Sequence, residues 1–167
     1  MKRIYLIGYM GSGKSTVGRK LARKLDLQFI DLDDYIEERN HKTIPELFAY
    51  LGEEGFREAE RKALQEVSRF ENIVVATGGG TPCFFDNMDI IRSTGISVYL
   101  NGTPRILAER LMHSKTERPL IKGKTEEELT AFIHETLAKR EKWYLQADVV
   151  LDFEHDLTMD EVMKRLA

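Results

Sequence analysis

Cysteine is nearly absent from this chain: Cys83 is the only one in 167 residues. No internal disulfide can therefore brace the fold, and a reducing, cytoplasmic setting is expected. No histidine pattern surrounds Cys83 to activate its thiol, which favours a small buried or half-buried side chain over a nucleophile. Long hydrophobic runs are absent too. The first apolar run, Ile4-Tyr5-Leu6-Ile7, stops at Gly8, too short for a membrane span or a secretory leader. Charge of one sign is not in excess either: 25 basic against 28 acidic residues leave a net charge of -3, with no basic stripe to invite nucleic acid. Neither a membrane nor a polyanionic partner is expected. Internal repeats, low-complexity tracts and linker-like shifts in composition are missing, and 167 residues suffice for one core. A single domain over 1–167, acting as a monomer on small molecules, is the expectation.

What is present begins with Gly8-Tyr9-Met10-Gly11-Ser12-Gly13-Lys14-Ser15, which fills the pattern G-x-x-x-x-G-K-[ST] directly after an apolar run. The glycines let the backbone turn tightly and aim successive N–H groups at phosphate oxygens, and the positive end of the helix opening at Lys14 faces the same anion. Lys14 is placed to reach the β- and γ-phosphates and Ser15 to hold Mg²⁺. Gly11, Ser12, Gly13, Lys14, Ser15 and Thr16 are accordingly the candidate nucleotide-binding residues. A plain strand-to-helix loop would require neither the lysine nor the serine.

Short apolar runs recur between helical patterns, at Ile4–Ile7, Gln28–Ile30, Ile73–Ala76, Ile96–Leu100 and Val149–Leu151. Such alternation predicts an α/β fold: a five-stranded parallel sheet with helices on both faces, in three layers. Helix starts are written in Thr43-x-x-Glu46, Thr125-x-x-Glu128 and Thr158-x-x-Glu161, which match capping boxes, and in Thr103-Pro104, a cap followed by proline. The polar, basic stretch near 113–124 reads as a long mobile loop between two helices.

A phosphate cradle does not by itself separate a switch, a motor and a small-molecule kinase. The Asn-Lys-x-Asp segment of guanine-selective switches is absent, and the run Ile73-Val74-Val75-Ala76 leads into Thr77-Gly78-Gly79-Gly80 rather than into an aspartate. A carboxylate for Mg²⁺ is instead available in Asp31-Leu32-Asp33-Asp34, where the second strand ends. If strand geometry continues there, Asp31 and Asp33 share a side facing the ligand crevice. One carboxylate can then support Mg²⁺ while the other orients an acceptor hydroxyl. Helix capping competes as an explanation for one of the three, and Asp34 is the candidate for that structural role. Three successive glycines at 78–80 allow main chain to touch a small polar ligand. Arg57 and Arg140, taken alone, are ordinary helix-surface charges.

In order, the segments Gly8–Ser15, Phe29-Ile30-Asp31-Leu32-Asp33, Gly55-Phe56-Arg57-x-x-Glu60, Thr77–Gly80, Arg118-Pro119-Leu120 and Arg140-x-x-x-Tyr144 make the chain resemble the shikimate kinase family over essentially its whole length. The resemblance implies a P-loop kinase fold with a mobile lid at about 113–124, and transfer of phosphate from ATP to the 3-hydroxyl of shikimate. It implies that Asp31, with Ser15, supports Mg²⁺ and that Asp33 binds and activates the acceptor hydroxyl. Arg57 and Arg140 would grip the shikimate carboxylate, Gly79 and Gly80 would touch its hydroxyls, and Arg118 would approach the transferring phosphate from the lid. Arg110 is the nearest match to an arginine on the adenine side. No proline occurs in Leu151-Asp152-Phe153-Glu154-His155, where relatives shape the adenine platform. A gluconate-type kinase of the same fold and a non-catalytic nucleotide switch are the alternatives.

Overall fold

The computed structural model describes residues 2–113 and 123–166. Five strands, β1 (Arg3–Ile7), β2 (Gln28–Asp31), β3 (Ile73–Ala76), β4 (Ile96–Gly102) and β5 (Val149–Phe153), form one sheet in the order β2-β3-β1-β4-β5. Every neighbouring pair is parallel. The expected α/β architecture is what the chain adopts, with each strand extending the apolar run that announced it by up to two residues.

The strands sort their side chains with period two, which is why the sheet carries two cores. Ile4, Leu6, Val74, Val98 and Leu100 point to one face, where α1 (Lys14–Leu25) and α7 (Met159–Leu166) cover them through Val17, Leu21 and Val162. Tyr5, Ile7, Ile73, Val75 and Tyr99 point to the other face. There they meet α2 (Leu32–Asn40), α3 (Ile44–Val67), α4 (Asn87–Thr94), α5 (Pro104–Met112) and α6 (Glu126–Tyr144). The central strands β1, β3 and β4 are nearly continuous apolar runs because both of their faces are buried, whereas the edge strand β2, Gln28-Phe29-Ile30-Asp31, is half polar and nowhere fully buried.

The caps behave as their residue types dictate. Thr43 and Thr125 form reciprocal capping boxes with Glu46 and Glu128. Thr158 and Glu161 exchange the same pair of bonds at 3.1 and 3.2 Å. Thr103 accepts from Ile106 N with Pro104 in the first turn. One feature of α3 was not foreseen: Gly52 (φ 74°, ψ 176°) interrupts it, a conformation open essentially to glycine alone.

Helix α1 seats against the sheet through a missing side chain. A Cβ on Gly18 would stand 2.5 Å from Phe29 Cε1 and 3.2 Å from Leu6 Cδ1. Gly18→Ala gains about 1 kcal/mol of helix propensity but overpacks this seam, at a cost of about 1–3 kcal/mol. Net destabilisation by urea titration is the expected result; a more stable variant would show that the seam yields.

The site is positioned by the order of the strands. β1 lies in the middle, flanked by β3 and β4, and the chain direction across the sheet reverses there, so a crevice opens at the carboxyl ends. Asp31 at the end of β2 stands beside Ala76 at the end of β3. Thr77, buried, clips the end of β3 to β1 by donating both N–H and Oγ1 to Leu6 O, at 3.1 and 2.9 Å.

Candidate active site

The glycine-rich loop leaves β1 at Gly8 (φ 148°) and enters α1 at Gly13 (φ 92°), with Gly11 (φ 82°) between them. These are left-handed values that side chains resist. Ser12 N donates to Tyr9 O at 3.2 Å and Val17 N to Gly13 O at 2.8 Å, closing the cradle onto the first turn of α1. Lys14 Nζ folds over the loop and donates to Gly8 O and Tyr9 O. Ser15 Oγ donates to Asp31 Oδ2 at 2.8 Å, so the two residues named for the cation are already in contact.

The aspartate cluster departs from the expectation in two ways. Strand geometry does not run through it: α2 begins at Leu32, and Asp33 stands in its first turn. The capping residue is Asp31, whose Oδ1 accepts from Asp34 N at 3.2 Å, and not Asp34, which is exposed. Asp31 thus uses one oxygen to start α2 and the other to hold Ser15. Asp33 still reaches the crevice, because the first helical turn points it across the end of β3.

Three consecutive glycines then meet three charges brought by three different helices. A Cβ on Gly78 would lie 3.1 Å from Asp33 Oδ1. One on Gly79 would lie 3.2 Å from Arg140 Nη1, and one on Gly80 would lie 2.9 Å from both Arg57 Nη1 and Nη2. Any side chain at 79 or 80 would push a guanidinium aside, so the triple glycine is a requirement of close approach. The same Gly79 position is 3.6 Å from Met10 N and 3.7 Å from Gly8 O, which sets the carboxylate and the two arginines against the phosphate cradle.

Both guanidinium groups are held from behind. Arg57 Nη1 donates to Glu60 Oε1 at 3.0 Å, and the buried Glu60 accepts from the buried Thr81 Oγ1 at 2.8 Å. Arg140 Nη1 donates to Tyr144 OH at 3.2 Å, and that hydroxyl donates to Gly79 O. Burial raises the Tyr144 hydroxyl pKa above its ordinary value, so it stays a donor. Burial, aided by the negative charges of Asp31 and Glu60, pushes Asp33 from 3.8 up to about 6. Such a carboxylate accepts a proton more readily than an exposed one. Cys83 is half-buried, and burial pushes its thiol up to about 11, in keeping with an unreactive side chain.

On the other flank of the cradle Arg110 donates from Nη1 to Gly11 O at 3.2 Å, pairs through Nη2 with Asp156 Oδ1 at 2.6 Å, and lies 4.9 Å from the Phe153 ring centroid. With Thr16, Lys20, Leu157 and Met159 it borders a cavity of about 420 Å³. A larger groove of about 900 Å³ lies behind the 154–157 loop and shares only Asp156 and Leu157 with that cavity. It contains none of the charges at Gly78–Gly80, so size does not mark the reactive centre here. Arg118 lies outside the described residues.

Glu60, Thr81 and Tyr144 were not named as site residues from sequence. The signal for two of them was there: Glu60 stands three residues after Arg57 and Tyr144 four after Arg140, the spacings at which helical side chains meet.

A phosphate cradle after the first strand, facing a carboxylate and two guanidinium groups at the switch point of a parallel sheet, defines a P-loop phosphotransferase for a small anionic acceptor. Comparison with known proteins makes the class specific. The profile of a family described as shikimate kinase matches residues 10–167. Shikimate kinase of Parabacteroides distasonis is 51% identical over 162 residues, 97% of this chain and 94% of that protein. A crystal structure of shikimate kinase from Bacteroides thetaiotaomicron has a TM-score of 0.91 at 49% identity, covering 99% of this chain and 96% of that one. Shikimate kinase from Acinetobacter baumannii, solved in complex with shikimate, gives 0.86 at 34%, covering 99% and 91%. The chain belongs to the shikimate kinase family.

Proposed function

We propose that this chain is a kinase transferring the γ-phosphoryl group of ATP to the 3-hydroxyl of shikimate, and that Asp33, Arg57 and Arg140 bind the acceptor. The observation that carries the residue roles is their convergence on Gly78–Gly80 within reach of the cradle. A planar guanidinium pairs a carboxylate through two parallel charge-assisted bonds, and two of them meeting on glycine backbone suit the single carboxylate of shikimate. Asp33 then accepts a hydrogen bond from the hydroxyl to be phosphorylated and takes its proton as the new P–O bond forms. Gly79 and Gly80 offer backbone contact to the ring hydroxyls.

On the nucleotide side Gly11, Ser12, Gly13, Lys14, Ser15 and Thr16 hold the phosphates, and Arg110 borders the cavity for the base. Ser15 and Asp31, joined at 2.8 Å, fit Mg²⁺, which binds through one or two protein oxygens while phosphates and waters complete its octahedron. No cluster of three or more His, Cys, Asp or Glu residues that would suit a metal occurs among the described residues, and such a cluster is not needed for an ion so held. Mg²⁺ there would screen the charge on the β- and γ-phosphates. The segment expected to form the lid falls largely outside the described residues; on the family resemblance its Arg118 would add a cation to the transferring group as water is excluded. No helix among the described residues is long and apolar enough to cross a membrane, and a lone unreactive thiol suits a cytoplasmic enzyme.

An ADP-release assay comparing shikimate with gluconate, quinate and nucleoside monophosphates tests the reading. Turnover with shikimate above the rest is expected; nucleotide binding without turnover on any acceptor would instead select the switch. The acceptor assignment has its own test. Arg57→Ala should weaken shikimate far more than ATP, because truncating one partner of a desolvated charge pair costs about 2–5 kcal/mol. Equal losses for both ligands would make Arg57 a structural residue.

A further inference from the structure

Arg57 and Arg61 stand one turn apart on α3 and both meet the loop that follows the triple glycine. After the 3₁₀ turn Thr81–Cys83, Phe84 is extended (φ -122°, ψ 146°) and Phe85 is left-handed (φ 50°). That conformation is an outlier for an aromatic residue. In a regular strand, successive side chains point to opposite sides. Here the reversal at Phe85 lays both rings on the same helix: Phe84 is 4.1 Å from the Arg57 guanidinium carbon and Phe85 is 5.2 Å from that of Arg61. Two further ties pin the loop. Asp86 pairs with Arg61 at 3.1 Å, and the buried Asn87 donates from Nδ2 to Thr81 O at 2.9 Å.

The environment of Arg57 gives the Phe84 ring a task. Among the described residues the buried Arg57 Nε finds no hydrogen-bond partner, which leaves an uncompensated donor on a charged group. Glu60 takes one Nη1 hydrogen, and the Nη edge faces Gly80. What remains to offset the desolvation is the negative face of an aromatic ring, and the half-buried Phe84 ring is the nearest one, with Phe56 at 5.3 Å.

We propose that Phe84 is a positioning residue for the acceptor: its ring covers the face of the Arg57 guanidinium, leaving the Nη edge presented at Gly80, and the left-handed Phe85 is what brings it there. The proposal rests on the reading that Arg57 binds the shikimate carboxylate.

The experiment measures kcat/KM for shikimate, KM for ATP and the melting temperature of Phe84→Ala, Phe84→Leu and Phe84→Tyr, each in the wild-type and the Arg57→Ala background. Loss of the ring face in the Ala and Leu variants should lower kcat/KM for shikimate by about 5- to 30-fold, with KM for ATP within twofold, and Tyr should restore it. In the Arg57→Ala background the Phe84 changes should add little, since the two residues act as a unit. Phe84→Leu preserves apolar volume, so it keeps the test decidable if the Ala variant fails to melt cooperatively. Wild-type behaviour of Phe84→Leu would overturn the proposal in favour of simple apolar cover, and so would full additivity with Arg57→Ala. An Arg57→Ala variant with unchanged kcat/KM for shikimate would remove the underlying reading and the proposal together. An impaired Arg57→Ala beside wild-type Phe84 variants would remove the proposal alone.

Discussion

Asp33→Asn is expected to slow phosphoryl transfer to shikimate by about 10²-fold or more while leaving ATP affinity close to wild type. Asparagine keeps the shape and still hydrogen-bonds a hydroxyl, but it carries no charge and is a far weaker proton acceptor. A capping role predicts the opposite, because asparagine caps a helix as well as aspartate does, and that role belongs to Asp31 in any case. Stability supplies a second readout, taken on the protein free of Mg²⁺ and nucleotide. The Asp33 carboxyl has a pKa of 3.8 in the unfolded chain and about 6 when folded, so between these values the native state binds the extra proton. Stability therefore falls as pH rises from about 4 to about 6. At pH 7 the ionised, half-buried group costs the fold about 1–3 kcal/mol. Asp33→Asn should then melt higher than wild type at pH 7, with the difference vanishing below pH 4. Slower catalysis with a more stable fold is the signature of a carboxylate kept for chemistry. Retained turnover would move the base to another residue.

Lys14→Ala is expected to lower kcat by about 10²–10³-fold, the range for losing one preorganised group at developing charge. The loop itself should survive. Its path is set by the left-handed glycines at 11 and 13 and by the bonds Ser12 N to Tyr9 O and Val17 N to Gly13 O, none of which involves the lysine side chain. The bonds from Lys14 Nζ to Gly8 O and Tyr9 O are lost, a change of about 1 kcal/mol or so each in stability. Near-wild-type kcat in a variant that binds ATP normally would take Lys14 out of the transfer step. The two substitutions separate the halves of the site: one removes the proton acceptor on the acceptor side, the other the cation beside the transferring phosphate.

Much of this protein was legible in its order of residues. The phosphate cradle is a local motif, since eight consecutive residues carry both its backbone path and its cation. The parallel sheet was readable because its central strands, buried on both faces, are apolar almost throughout, and the helix starts were readable because a cap is a contact between residues three apart. The acceptor side had to wait for the tertiary structure. Nothing local distinguishes Arg57 or Arg140 from a solvated helix charge; only the family resemblance singled them out. Their meeting at Gly79 and Gly80 comes from α3, α6 and the end of β3 packing on one face of the sheet. The chemistry of Asp33 is legible in the sequence but its local geometry is not, because whether a strand ends at residue 31 or 33 is decided by Asp31 turning to cap α2. Phe84 over Arg57 carries no sequence signal at all: it depends on one left-handed residue and on two segments separated by the whole of β3. Short-range order is encoded in short-range sequence, whereas convergence of charge on three glycines is a property of the packed sheet and helices.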